Sequence, residues 1–432
     1  MIEKRAFNRL DRTYPVTLKL KGKDATLSCE TLNISRTGAA IKINQPLPKD
    51  ALASLYITPK EGNSPQPLTI EAQAIWNKSL SSNGAACYGL RFTDIEEDSS
   101  LILRRLLGYE VDHIVTGSYL PEQIVTNEDI VKMGFKGSAF VLERGLGAKE
   151  RRAAGKDETG ADMMAKVAEK ILTKAGCLPQ DVDLIICSAD PKDAVAPESA
   201  VAVQIKIGAT CCPAFGISMS CAGWTAGIDI GLSYLISGKK RILVLASSVA
   251  GSKLYFHNPM HRAIFGDGAG GILLERQHRS QLLATALWAN GEYYSKIFAP
   301  LPWSTAPKDI PAEYKDSFYM SDDQKVFFEA MGNHLVPFSQ RLLAKAKVNL
   351  DDIDCFLLHY PSKPLFENSL KLLNIPREKT FNTFAHYGNL VAAEMPIFLD
   401  EAIRANKIKK GDLVLILTYG AGFTMGGMIL HY

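Results

Sequence analysis

Ser218-Met219-Ser220-Cys221-Ala222-Gly223-Trp224-Thr225-Ala226-Gly227 is the stretch around which the larger part of this 432-residue chain is organised. A short apolar run, Phe215-Gly216-Ile217, precedes it, and from Thr225 to Ile236 apolar positions recur at helical spacing. The cysteine therefore falls at a strand-to-helix junction, where unpaired backbone N–H groups and the positive end of the helix dipole point outward. Such a field favours thiolate over thiol and activates the sulfur as a nucleophile. A buried structural cysteine among small neighbours fits the same ten residues, and that is the commoner fate of a free thiol. The rest of the chain decides between the two.

Outward from this stretch the chain echoes itself. Asp181-Val182-Asp183-Leu184-Ile185-Ile186-Cys187-Ser188 is mirrored by Asp352-Ile353-Asp354-Cys355-Phe356-Leu357-Leu358-His359. Arg241 to Ser248 is mirrored by Asp412 to Tyr419, and both pairs lie 171 positions apart. Two echoes at one offset imply a duplicated α/β unit with an active site at the seam. Cys221 belongs to the first copy; His359 ends a buried strand of the second, where a side chain can emerge into a cleft. A boundary near Gly108-Tyr109-Glu110 marks where long helical patterns and continuous apolar strands begin, the texture of α/β layering.

These residues resemble the ketosynthase III group of the thiolase fold, the β-ketoacyl-(acyl carrier protein) synthases III. Matching pieces run from Val141-Leu142-Glu143-Arg144-Gly145 and Lys149-Glu150-Arg151-Arg152 through Pro197–Gly208 and the cysteine segment. They continue with Phe265-Gly266-Asp267-Gly268-Ala269-Gly270, the Tyr387–Ala393 segment and Tyr419-Gly420-Ala421-Gly422-Phe423-Thr424. The resemblance implies a catalytic set of Cys221, His359 and Asn389. Cys221 would take an acyl group from acyl-CoA, and the acyl-enzyme would condense with a malonyl unit on acyl carrier protein. Backbone N–H groups of Cys221 and Ala421 would hold one developing oxyanion, and a neutral His359 with the Asn389 amide would hold the enolate. Phe140, Arg144 and Lys363 would line the CoA site. No tightly bound cofactor and a homodimer are implied. His386 is expected to be structural, and His257 and His261 to lie on a loop.

Departures from the family pattern bear on the substrate. Tyr360-Pro361-Ser362-Lys363 replaces the usual Gln-Ala-Asn after the histidine, and Ala196 replaces an aromatic that lines the acyl pocket. The expected Asn-Thr-Ser-Ala-Ala-Ser reads Asn389-Leu390-Val391-Ala392-Ala393-Glu394. A specialised acyl donor or acceptor is implied, in lipid or secondary metabolism, with a donor longer than acetyl. Transfer to a hydroxyl, amine or carrier without decarboxylation is the alternative, with His359 as general base. A receptor whose thiolase half only dimerises is a third reading, disfavoured by retention of all three polar residues.

The first hundred residues read differently. Short alternating runs such as Val16–Leu20, Ala39–Ile43, Leu52–Ile57, Ile70–Trp76 and Cys87–Phe92 predict a small β-barrel, closed by a helix from Glu96 to Leu107. Arg5 and Arg9 sit in a basic N-terminal segment, and Asn33-Ile34-Ser35-Arg36-Thr37-Gly38 forms a turn before a strand. Arginine forks and small polar turns suit a purine nucleotide with phosphates. These motifs, with Trp76 and Tyr88–Phe92, resemble the PilZ domain, which implies binding of cyclic di-GMP through Arg5, Arg9, Asn33, Ser35 and Gly38. The expected architecture is thus α+β and multidomain: a PilZ-type barrel over 1–109, then a duplicated αβαβα thiolase fold over 110–432 with halves of about 110–280 and 281–432.

Composition sets the bounds. With 47% hydrophobic and 22% charged residues and a net charge of +3, the chain is an ordinary globular protein without the basic balance of a nucleic-acid binder. Eight cysteines without Cys-x-x-Cys pairs argue against zinc, and with no apolar leader or membrane span a cytoplasmic location is expected.

Overall fold

Along the strand Pro15–Leu20 exposed and buried residues alternate strictly, because one face meets a core and the other meets solvent. The computed structural model describes residues 9–10, 13–22, 26–48, 50–58, 68–79, 86–107, 109, 112–253, 258–300, 304–311, 319–321 and 324–432. The chain separates into two compact units: Ile2–Asp112 with Thr173–Cys177, and His113–Leu172 with Leu178–Tyr432.

The N-terminal unit holds β1 (Arg9–Leu10), β2 (Pro15–Leu20), β3 (Thr26–Ser35), β4 (Gly38–Ile43), β5 (Leu52–Ile57), β6 (Leu68–Ser79), β7 (Ala86–Ile95) and α1 (Glu97–Leu106). Antiparallel pairing runs β3-β2-β5-β6-β7-β4, and β4 pairs back onto β3, which closes six strands into a barrel; β1 adds to β3. Closure leaves no long unpaired edge among these six. Leu18, Ile34, Ile41, Leu55, Ile57 and Leu68 fill the interior, each contributing roughly 1.5–3 kcal/mol by burial. Asn33 and Ser35, expected in a turn, lie in β3 itself. The hairpin is tighter than the sequence suggests, because Ser35 pairs directly with Gly38 and the irregularity sits earlier, between Thr31 and Asn33.

The second unit opens with β8 (Val115–Tyr119), β9 (Gln123–Thr126), α2 (Asn127–Lys132), α3 (Ala139–Leu146), β10 (Glu150–Ala153) and α4 (Gly160–Ala175). Then come β11 (Leu184–Asp190), α5 (Ser199–Ile207), β12 (Ala214–Gly216), α6 (Gly223–Ile236), β13 (Arg241–Ser248), α7 (Pro259–Ile264) and β14 (Gly268–Glu275). The remainder is β15 (Leu282–Tyr293), β16 (Ile297–Phe298), β17 (Tyr319–Met320), α8 (Gln324–Ala346), β18 (Cys355–Leu358), α9 (Lys363–Leu373), α10 (Phe384–Tyr387), α11 (Glu394–Arg404), β19 (Leu413–Gly420) and β20 (Gly422–His431).

Two sheets result, ordered β12-β11-β13-β14-β8 and β15-β20-β19-β18. β11 and β13 run parallel, as do β18 and β19, so the strand pairs predicted by the 171-residue echo occupy matching places. Every residue of β13 and β14 is buried, the signature of strands covered on both faces. The cover is helical. α6 packs on β11 and β13 and on β15 and β20, and α11 packs on β8, β14 and β18, which puts both in a middle layer. α5 covers one sheet, α8 covers the other, and α9 packs on α8. This position explains the composition of α6, whose first residues, Gly223 to Ile228, are all buried.

Candidate active site

Cys221 stands in a single 3-10 turn, Ser220–Ala222, between β12 and α6. Ser220 has a φ of +49°, a left-handed conformation that costs a side-chain-bearing residue energy and collects at functional sites. The resulting elbow presents a half-buried thiol at the N-terminus of α6. The helix begins at Gly223, earlier than its apolar spacing predicts, and Ala222 before it offers no side-chain cap for the first N–H groups.

The β19–β20 turn closes on this elbow. A Cβ on Gly420 would lie 3.0 Å from the Cys221 Cβ and backbone N and 3.2 Å from Sγ, so close that a larger residue would make the elbow give way. Thr424 Oγ1 donates to Ala421 O at 3.1 Å and lies 3.3 Å from Met219 O, so the turn carrying Ala421 is tied to the residues before Cys221.

His359 follows β18, its backbone N–H donating to Leu417 O at 2.9 Å. The ring is 1% exposed and meets Tyr419 edge-on at 5.5 Å between centroids. Its Nδ1 lies 2.6 Å from Oε2 of Glu394, whose side chain is fully buried. The ring N–H is not aimed squarely at that oxygen, so the contact is a close ion pair rather than a straight hydrogen bond. Glu394 Oε1 accepts the Tyr360 backbone N–H at 3.0 Å. Burial alone lowers the proton affinity of the imidazole; the Glu394 charge and then Cys221, within hydrogen-bonding reach, outweigh it and push His359 up to about 10. Burial pushes the Glu394 carboxyl up, against the pull of His359 and the Tyr360 N–H. Of the two, the imidazole holds the shared proton, because Glu394 also occupies the first position of α11, where the helix dipole stabilises a carboxylate.

Asn389 is 5% exposed. Its Oδ1 accepts the Val391 N–H at 2.8 Å, which fixes the amide orientation and leaves Nδ2 as the donor. The 3-10 turn Val391–Ala393 beyond it packs against the turn of Cys221, so the three expected catalytic residues converge on one corner of the second unit.

Phe140 and Arg144 on α3 and Lys363 at the start of α9 surround one cavity of about 320 Å³ with Glu143, Gly147 and Tyr360. Tyr360 links this cavity to the thiol corner, since it follows His359 in the chain and its N–H is held by Glu394. In the barrel, Arg9 pairs with Ser35 across β1 and β3, and Ser35 pairs with Gly38, so the backbones of the two segments expected to bind a nucleotide meet. Ser35 Oγ donates to Gly38 O at 3.0 Å, and Asn33 Oδ1 is buried without a hydrogen-bond partner among the described residues. Arg5 lies outside the described residues.

His261, expected on a loop, sits in the short helix α7 and is buried, because Asn258 caps that helix and pulls the segment into regular structure. His257 lies outside the described residues. His386 Nδ1 lies 3.2 Å from Glu150 Oε1 on an exposed side chain, away from the thiol. The side chain in contact with His359 to which sequence reasoning gave no role is Glu394, although its signal was present in an acid where the resembled motif ends in serine. Among the described residues no cluster of His, Cys, Asp or Glu suits a metal ion, and no helix is long and apolar enough to cross a membrane.

Residues 215–291 match the 3-oxoacyl-(acyl carrier protein) synthase III family, residues 343–432 match its C-terminal part, and residues 3–109 match the PilZ domain. The β-ketoacyl-(acyl carrier protein) synthase III of Serratia proteamaculans is 32% identical over 318 residues, covering 73% of this chain and 98% of its own. That of Aquifex aeolicus is 31% identical over 321 residues, covering 74% and 98%. The crystal structure of 3-oxoacyl-(acyl carrier protein) synthase III from Aquifex aeolicus aligns with a TM-score of 0.66 at 30% identity, covering 74% of this chain and 99% of that one. The five-layered unit has the thiolase fold of these enzymes.

Proposed function

The chain belongs to the β-ketoacyl-(acyl carrier protein) synthase III family of condensing enzymes, with a PilZ domain at its N-terminus, and from this we propose that Cys221 carries the acyl group during the reaction. The observation behind this reading is the convergence of the Cys221 elbow, the glycine-hinged β19–β20 turn and the His359 ring. Sγ attacks the thioester carbonyl of an acyl-CoA, and the backbone N–H groups of Cys221 and Ala421 stabilise the tetrahedral oxyanion. Loss of each such donor costs about 100-fold or more in turnover. A malonyl unit on acyl carrier protein then loses carbon dioxide, and His359 with Asn389 Nδ2 holds the enolate that attacks the acyl carbon. Phe140, Arg144 and Lys363 hold the CoA.

Exposed Val195, Val201 and Ile205 beside the edge strand β12 support a homodimer. Ala196 supports a donor longer than acetyl in specialised lipid or secondary metabolism. Arg5, Arg9, Asn33, Ser35 and Gly38 bind cyclic di-GMP and so regulate the enzyme. Calorimetry should show binding by wild type and none by the Arg5→Ala, Arg9→Ala pair; equal binding by both would retire that assignment.

A second reading, transfer of the acyl group to a hydroxyl, amine or carrier, is favoured by the Glu394 carboxylate on His359, which suits a base. Acyl-CoA and malonyl-acyl carrier protein decide between the two. Carbon dioxide released with a 3-oxoacyl product supports condensation. An acyl-enzyme that discharges only onto hydroxyl or amine acceptors supports transfer.

A further inference from the structure

We propose that Glu394 is a positioning residue of this site: by engaging Nδ1 of His359 it turns Nε2 to Cys221 and makes that nitrogen the seat of the transferred proton, so that the three residues form a nucleophile–base–carboxylate relay. The inference rests on the acyl-enzyme reading above.

Three observations carry it. Nδ1 and Oε2 are 2.6 Å apart with both side chains buried, so water does not compete for the pair. The other carboxylate oxygen is anchored on the Tyr360 N–H, which holds the group against the ring. The titratable groups facing the ring are Glu394, Cys221 and Tyr419, and the last has its hydroxyl 3.2 Å from Ser369 Oγ. With Nδ1 committed to the carboxylate, Nε2 is left for the thiol. A neutral ring in this tautomer can only accept there; it donates from Nε2 only as imidazolium.

The proton inventory follows. The proton of Sγ passes to Nε2, and the thiolate forms its bond to the acyl carbon. The bond from that carbon to the leaving thiol breaks, and the departing sulfur takes the proton back from Nε2. An acceptor X–H then gives its proton to Nε2, bonds to the acyl carbon and releases Sγ, which is reprotonated. For a carboxylated acceptor Nε2 first takes up a proton from water; the carbon–carboxylate bond then breaks to carbon dioxide, and its electron pair forms an enolate held by the imidazolium. The enolate attacks the acyl carbon, and Sγ leaves as a thiolate paired with the same imidazolium. In both sequences the carboxylate stays ionised.

The test needs no acyl donor. The rate of iodoacetamide alkylation at Cys221, located by peptide mass mapping, is followed from acidic to alkaline pH for wild type, Glu394→Gln and His359→Gln. The glutamine at 394 keeps the size and the acceptor for Tyr360. At neutral pH both variants should alkylate about tenfold or more slowly than wild type, and both should regain its rate in alkali, where the thiol ionises unaided. A Glu394→Gln profile identical to wild type overturns the proposal, as does a uniform slowing at every pH, the mark of disturbed packing. If the variants do not fold, ¹⁵N-histidine spectra of wild type decide instead. His359 must appear protonated at Nδ1 or at both nitrogens, and a neutral ring protonated at Nε2 alone overturns the relay. Alkylation reads the thiol whether or not acyl-CoA is a substrate, so failure of the acyl-enzyme reading would show separately, as absence of an acyl adduct.

Discussion

The two halves of the thiolase-fold unit carry the same elbow and put it to different uses. Ser220, with φ +49°, and Val391, with φ +51°, stand 171 positions apart, and each opens a 3-10 turn that feeds a middle-layer helix. Gly223 and Glu394 are the first residues of those helices, and Ser188 and His359 occupy the matching places by the adjoining strands. In the first half the slot is shut: a Cβ on Gly223 would lie 2.0 Å from Ser188 Oγ. In the second it is open and holds a carboxylate against an imidazole. The first elbow presents the Cys221 thiol, whose place Ala392 takes in the second. The two matching corners thus differ in what fills each slot: a packed serine beside the thiol in one, a carboxylate against an imidazole in the other.

The largest effect should come from the turn that closes on the first elbow. Gly420→Ala presses a methyl group against Cys221 and should lower kcat/KM about tenfold or more while the melting temperature moves little, because the elbow must give by a few tenths of an ångström. Unchanged turnover would show that the approach of this turn is incidental.

The second elbow is tested by pH. The Glu394 charge pushes His359 up to about 10, so an imidazolium formed there during turnover is lost only as pH rises through that value. Turnover that uses the imidazolium should therefore hold on its alkaline side until that region. In Glu394→Gln the alkaline limb should fall at lower pH, towards the ordinary histidine range near 6.5. Superimposable limbs would erase the difference between the two elbows.

Closing and opening the slots gives a stability test. Gly223→Ala should cost about 1–3 kcal/mol by overpacking against Ser188, measured by denaturant unfolding, and adding Ser188→Ala should recover part of it. Additive losses would mean that the contact is not what keeps glycine there.

The smallest effect concerns donor choice. Wild type should prefer medium-chain over acetyl-CoA, and Ala196→Phe should narrow that preference by about 1–3 kcal/mol per excluded methylene or less, with acetyl transfer little changed. Acetyl as the best wild-type donor in competition would remove the argument from Ala196.

Much of this site was legible in the sequence. The 171-residue echo, an elbow cysteine and an Asn after a Gly are local patterns, and each marks where backbone geometry or a strand end fixes a side chain. Phe140, Arg144 and Lys363 could be named only through family resemblance, since α3 and α9 are brought to one cavity by tertiary packing. The partner of His359 was missed for a similar reason. Glu394 follows it by 35 positions, and only the packing of α11 against β18 shows that the two side chains meet. In the barrel, alternation located the strands but not the tight β3–β4 hairpin, because Asn, Ser and Gly together read as a longer turn.

Peptide mapping of the protein after exposure to a panel of acyl-CoAs tests the central claim most directly. A single acyl adduct should sit on Cys221 and discharge when acceptor is added, with none in Cys221→Ala. An adduct spread over the other seven cysteines, or none from any donor while the protein remains folded, would contradict the account.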